Sequence, residues 1–189
     1  MLVTIAIALA AVAAVLLVAI ATRPDTFRVQ RSVTIAAPAE VVFAEIEDLH
    51  RWSAWNPYEK SDPEMRKTFE GAASGVGSSF HYYGGTTGEG RMTLAAIEPH
   101  RRIAVSAQFI KPFAATNRIE FTLAPAPGGV SLTWAMDGRN TFVGKALSLF
   151  IDMDRMIGGS FEKGLADIKG IAESPARTAA ARPALTAAS

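Results

Sequence analysis

The sequence predicts an α+β protein: a curved antiparallel sheet of about seven strands wrapped on a long C-terminal helix, behind an N-terminal transmembrane helix. Three observations carry this. The chain opens on an uncharged apolar run; its middle is a series of short alternating runs divided by turn signals; and a helical apolar stripe closes it.

From Leu2 to Thr22 no side chain is charged; eleven residues are Leu, Val or Ile, eight are Ala and two are Thr. As a helix the stretch spans about 31 Å, close to the hydrocarbon thickness of a bilayer. A cleaved secretory signal is the alternative, since Ala19-Ile20-Ala21 resembles a cleavage site. Against it, no Lys or Arg precedes the run, and the run is longer than a typical signal core. Residues 1–24 are therefore expected to be a retained, single-pass anchor, with membrane contact through residues 2–22. Arg23, Arg28 and Arg31 follow it, so the positive-inside rule places the soluble part on the cytoplasmic side; a periplasmic or secreted domain is the alternative.

Within the expected domain, residues 25–173, Thr26 to Ile35 alternates between Phe27, Val29, Val33, Ile35 and Arg28, Gln30, Ser32, Thr34, which is the pattern of a half-buried strand. Pro38 opens a short helix through Val41, Val42 and Ile46. A second short segment carries Leu49, Trp52 and Trp55 and is expected to end at Asn56-Pro57. Six strand-like runs follow, over 64–69, 76–83, 90–97, 103–110, 116–123 and 130–136, with Gly- and Pro-containing turns short enough for antiparallel hairpins. From Phe142 to Glu173 a stripe of Val143, Ala146, Phe150, Met153, Ile157, Phe161, Leu165 and Ile168 at spacings of three and four predicts a helix, with Gly158-Gly159 as the place for a bend or break. Residues 174–189 have no periodicity and are expected to be a disordered tail.

Composition narrows the function classes. Among 189 residues, 19 Lys and Arg face 18 Asp and Glu, a net charge of +1, and the two signs are interspersed; nucleic acid is not an expected partner. With no cysteine there is no thiolate nucleophile and no Cys-based zinc site. His50, His81 and His100 are scattered, so no metal and no cofactor are expected. Gly71 to Gly75 is not a nucleophile elbow, because its serine sits one place late, and Gly144-Lys145-Ala146 lacks the remainder of a phosphate loop.

A long helix across a curved sheet can leave space beneath it or close on it completely; the pattern alone leaves both open. The order of elements, with particular strings, resembles the SRPBCC superfamily (START-like, helix-grip) in its polyketide-cyclase-like branch. The strings are Arg31 to Ile35 with Ala37-Pro38 and Val41 to Phe43, Trp52 to Pro57, Gly75 to Gly77, Gly88 to Met92, Lys111 to Phe113, Trp134 to Met136, Met153 to Gly158 and Phe161 to Leu165. The resemblance covers residues 27–173 and implies a hydrophobic cavity between sheet and helix, used by relatives for lipids, sterols, polyketides or hormones.

On that basis the candidate ligand-binding residues are Trp52, Trp55, Phe109, Phe113, Trp134, Met136, Phe150, Met153, Ile157 and Phe161. Phe109 and Phe113 bracket a loop at the mouth; Trp52 and Trp55 could instead staple the short helices to the sheet, Trp55 the more so, and the rest could equally be ordinary core. His81, Tyr83, Glu89 and Arg91 are weaker candidates for chemistry. Strand alternation sets His81 and Tyr83 against Phe80 and Tyr82, and only one pair faces inward. Three functions fit. The first is a membrane-anchored binder of a small hydrophobic molecule or lipid. The second is a cyclase- or hydrolase-like enzyme using His81, Tyr83 or Glu89 in the same cavity; the third is a protein-interaction or stress module. The ligand and the oligomeric state are not legible in the sequence.

Overall fold

The structure is a computed structural model that describes residues 1–72 and 74–174. Apart from Ser174, the expected tail lies outside the described residues. Helix α1 (Leu2–Ala21) is long and apolar enough to cross a membrane by length and composition, the same test a signal sequence passes.

Strand β1 (Thr26–Ile35) alternates as expected, with Val29 and Ile35 buried. Arg31 belongs to the same inward row, which the apolar pattern alone conceals. Helix α2 (Ala39–Glu47) follows Pro38, whose extended backbone makes it the cap and not the first helical residue. A 3-10 helix (Leu49–Ala54) is capped by Asp48, which accepts from the His50 amide. Asn56-Pro57 starts an element instead of ending one: Asn56 Oδ1 accepts from the Tyr58 amide at 3.1 Å, and Pro57 opens α3 (Pro57–Ser61).

The sheet is completed by β2 (Arg66–Glu70), β3 (Ser79–Gly84), β4 (Gly88–Glu98), β5 (Arg102–Lys111), β6 (Ala115–Ala126) and β7 (Gly129–Arg139). Its order is β1-β7-β6-β5-β4-β3-β2, antiparallel at every pairing. Register shifts at Glu89/Gly90 and Leu94/Ala96 mark irregularities in β4, where a sheet bends and twists most easily.

The expected helix from Phe142 to Glu173 is two helices, α4 (Phe142–Leu147) and α5 (Met153–Ala172). The break falls at residues 148–152, where Asp152 accepts from the Arg155 amide and starts α5 afresh. Gly158 and Gly159 lie inside α5. Gly158 serves packing: a Cβ there would meet the Arg31 guanidinium, which crosses the helix to bind Asp154 and Glu162 at 2.8 Å each.

Helix α5 packs on β1 and β7, but unevenly along its length. Phe161, Leu165, Ile168 and Ala172 are buried, whereas Met153 and Ile157 are half-buried and Met156 is exposed. At the packed end Trp52, Trp55, Phe80, Phe121, Trp134 and Phe161 form one aromatic cluster, Trp134 lying parallel to Phe161 at 4.3 Å. The interior is solid there. It is hollow under the first turns of α5.

Candidate ligand-binding site

The hollow is a cavity of about 460 Å3. Its sheet wall comes from inward rows of six strands: Phe27, Met136, Ile119, Phe109, Met92 and Tyr82. Helix α3 closes one side with Tyr58 and Ser61; Met153, Ile157 and Phe161 form the roof; and Trp52, Phe80 and Trp134 of the aromatic cluster form the deep end. The rim carries Phe113, Arg139, Asn140, Thr141 and Gly144. This is the end of the sheet where β1 begins, so α1 joins the domain beside the rim.

Such a lining, mostly apolar with few polar groups, is what a small-molecule site requires. A wider depression of about 800 Å3 lies at the other end of the sheet, along residues 36–39 and beside Glu98, Arg101 and Arg102. Its charged border suits a hydrophobic guest less well than the cavity under α5.

Few polar atoms face the cavity. Trp134 is buried, and its Nε1 has no hydrogen-bond partner among the described residues. The Cζ3 edge of that indole is directed at Gly164, and Nε1 is itself closed off from solvent and from the cavity. An unpaired buried donor of this kind costs about 1–3 kcal/mol unless something accepts from it. Burial pushes the Tyr82 phenol up to about 12 and raises that of Tyr58 as well, so both are neutral near pH 7. On β6, the Asn117 amide nitrogen donates to the Met136 sulfur at 3.7 Å.

The β3–β4 hairpin is held to α3 by Asp62. Its Oδ2 accepts from the amides of Thr87 and Thr86, at 3.0 and 2.9 Å, and from the Thr87 hydroxyl at 2.9 Å. These donors, the Thr87 amide first, hold the carboxyl below its ordinary value. A carboxylate lowered by folding stabilises above its unfolded pKa, and that contribution is lost as pH falls through the folded value. Asp62→Asn is therefore expected to lower the midpoint of thermal unfolding at pH 7, with the gap to the parent closing below about pH 4. A gap unchanged across that range would show that the bonds, not the charge, matter.

Eight of the ten ligand-binding candidates line the cavity: Trp52, Phe109, Phe113, Trp134, Met136, Met153, Ile157 and Phe161. Two do not. Trp55 is fully buried behind Trp52, edge-on to Phe121 and Trp134, and its Nε1 donates to the Glu45 carbonyl at 2.9 Å. Phe150 falls in the break between α4 and α5 and is 82% exposed, because the helix that would have turned it inward stops three residues earlier.

The four candidates for chemistry do not line the cavity either. Phe80 and Tyr82 take the inward row of β3, which leaves His81 and Tyr83 on the outer face. There Glu89 binds Lys111 at 2.6 Å and His81 at 3.3 Å, while Arg91 binds Glu70 at 2.8 Å. The Lys111 ammonium holds the Glu89 carboxyl below its ordinary value. Among the described residues, no three His, Asp or Glu side chains converge where they could hold a metal ion.

Tyr58, Asn117 and Asp62 were not anticipated. Asn117 had a legible signal: it stands two residues before Ile119 in an otherwise apolar inward row. Tyr58 and Asp62 had none, because their roles depend on where α3 lies.

A long helix gripping one end of a bent antiparallel sheet over an apolar cavity defines the helix-grip, START-like class, the SRPBCC superfamily. Within it, the chain belongs to the polyketide cyclase / dehydrase and lipid transport family, whose model matches residues 26–173. No curated protein sequence matches the chain.

Solved structures share the fold at low identity. Protein CV1439 from Chromobacterium violaceum is 17% identical with a TM-score of 0.56, over 80% of this chain and 99% of that one. Protein MLL2253 from Mesorhizobium loti is 19% identical with a TM-score of 0.53, over 77% and 96%. The di-domain ARO/CYC BexL from the BE-7585A biosynthetic pathway is 15% identical with a TM-score of 0.61, over 84% of this chain and 53% of BexL.

Proposed function

We propose that this chain is a membrane-anchored binding protein for a small hydrophobic molecule or lipid. The observation that carries the proposal is the apolar cavity of about 460 Å3, open at the end of the sheet that α1 enters. In this reading residues 1–24 are the anchor, residues 25–173 the binding domain, and the basic flank Arg23, Arg28 and Arg31 keeps the domain on the cytoplasmic side. The eight lining candidates are the contact residues. The family description, which includes lipid transport, supports the same ligand class.

That description also names cyclases, and a cyclase would use the same cavity. The titratable groups on its described lining are Tyr58, Tyr82 and Arg139. Neutral phenols and a guanidinium donate hydrogen bonds or protons, but none is a base near pH 7, and this favours binding over proton abstraction.

The test is to purify the full chain from membranes in mild detergent and examine it by native mass spectrometry. A small apolar molecule bound one to one, displaced by a fluorescent hydrophobic probe, is the expected result. A chain that carries nothing and takes up no probe would refute the binding. Orientation is read on intact and lysed cells with Arg101→Cys and an impermeant thiol reagent; labelling only after lysis is expected.

A further inference from the structure

We infer that residues 142–151 are a second, non-spanning membrane contact, seated in the bilayer interface beside α1, so that the cavity opens into lipid and not into water. The inference rests on the reading of α1 as an anchor and adds a surface and its partner.

Between Phe142 and Ile151 five large apolar side chains face outward: Phe142 is 62% exposed, Val143 43%, Leu147 40%, Phe150 82% and Ile151 42%. Three of them stand on α4 and two on the turn that follows it, all within ten residues. The polar residues of the segment are otherwise engaged. Lys145 pairs with Asp25, and the Ser148 hydroxyl donates to the Lys145 carbonyl. A contiguous apolar patch of this kind on a soluble surface marks a contact.

Its partner follows from what lies next to it. Helix α1 touches α4, and the intervening residues are fastened down: the Asn140 side chain donates to the Pro24 carbonyl at 2.9 Å and its amide to the Asp25 carbonyl at 2.8 Å. The segment is thus fixed at the depth where the apolar run of α1 ends, with Arg23 at the same level for lipid phosphates. Phenylalanine, leucine and isoleucine facing outward beside a spanning helix suit the boundary of headgroups and acyl chains. Phe113, across the rim and 58% exposed, continues the patch around the mouth.

The chain has no cysteine, so single introduced cysteines report only their own site. The full chain is reconstituted into phosphatidylcholine and phosphatidylglycerol vesicles with a fluorophore at Phe150→Cys, Phe142→Cys, Val12→Cys in α1 or Arg101→Cys at the far turn. Lipids brominated along their acyl chains are then used as quenchers. The expected result is strong quenching at 12, 142 and 150 and none at 101. Quenching at 12 without quenching at 142 and 150 would overturn the interfacial contact and leave the anchor standing. No quenching at any site would overturn both. Quenching at 142 and 150 but not at 12 would refute the spanning helix and overturn the inference as stated, since the contact would then not lie beside an anchor.

Discussion

A Gly164→Val chain is expected to unfold about 3 kcal/mol more readily than the parent, the upper part of the usual range for overpacking a core. A Cβ at Gly164 would lie 2.6 Å from Trp134 Cζ3 and 3.1 Å from Pro57 Cδ. The indole is held by Phe161 against its face at 4.3 Å and by Trp55 edge-on at 5.5 Å, so yielding to the new methyls would disrupt the aromatic cluster. Two glycines in the same helix supply the contrast, since nothing lies within 4 Å of a Cβ at Gly159 or Gly170. Their alanine variants are expected to gain about 0.5–1 kcal/mol from helix propensity alone. Chemical denaturation of the three variants checks the ordering. A neutral Gly164→Val would mean that helix and sheet are not in contact at that point.

The second large effect is expected in binding. Trp134→Phe keeps an aromatic ring against Phe161 but trims the apolar wall at the deep end of the cavity. Affinity for the bound molecule is expected to fall about tenfold, the effect of about 1.4 kcal/mol of lost apolar contact. Unchanged affinity would show that the bound molecule does not reach that wall. Thermal unfolding of the empty variant separates this from a packing defect.

How far the sequence could be read depended on the kind of signal. Strand rows were legible because alternation has a period of two, so Ile119/Phe121/Leu123 and Leu132/Trp134/Met136 announce their buried face directly. The same rule separated Phe80 and Tyr82 from His81 and Tyr83 without saying which pair turns inward; that depends on the helices covering one face of the sheet. Trp52 and Trp55 stand three residues apart at a 3-10 helix, so local geometry puts them on one side. Only the tertiary arrangement shows that Trp52 reaches the cavity while Trp55 sits behind it.

Phe150 illustrates a different limit. Its spacing fits the stripe of the terminal helix, but a stripe is meaningful only while the helix continues. Asp152 is a good capping residue in the middle of that stripe, and it restarts the helix. Gly158-Gly159 drew attention as a weak point when the true reason for Gly158 lies across the interface, in Arg31. Long-range pairs of this sort, residues 31 and 162 among them, have no local signature.

The uneven seating of α5 has a consequence for kinetics. Its second half is locked by Phe161, Leu165 and Ile168, so lifting the turns around Met153 and Ile157 leaves the aromatic cluster intact. Such partial opening demands far less free energy than global unfolding. For a guest held as proposed, residence time would then be set by a few contacts at that end of the helix, the Arg31–Asp154 pair among them, and exchange would not require the core to unfold.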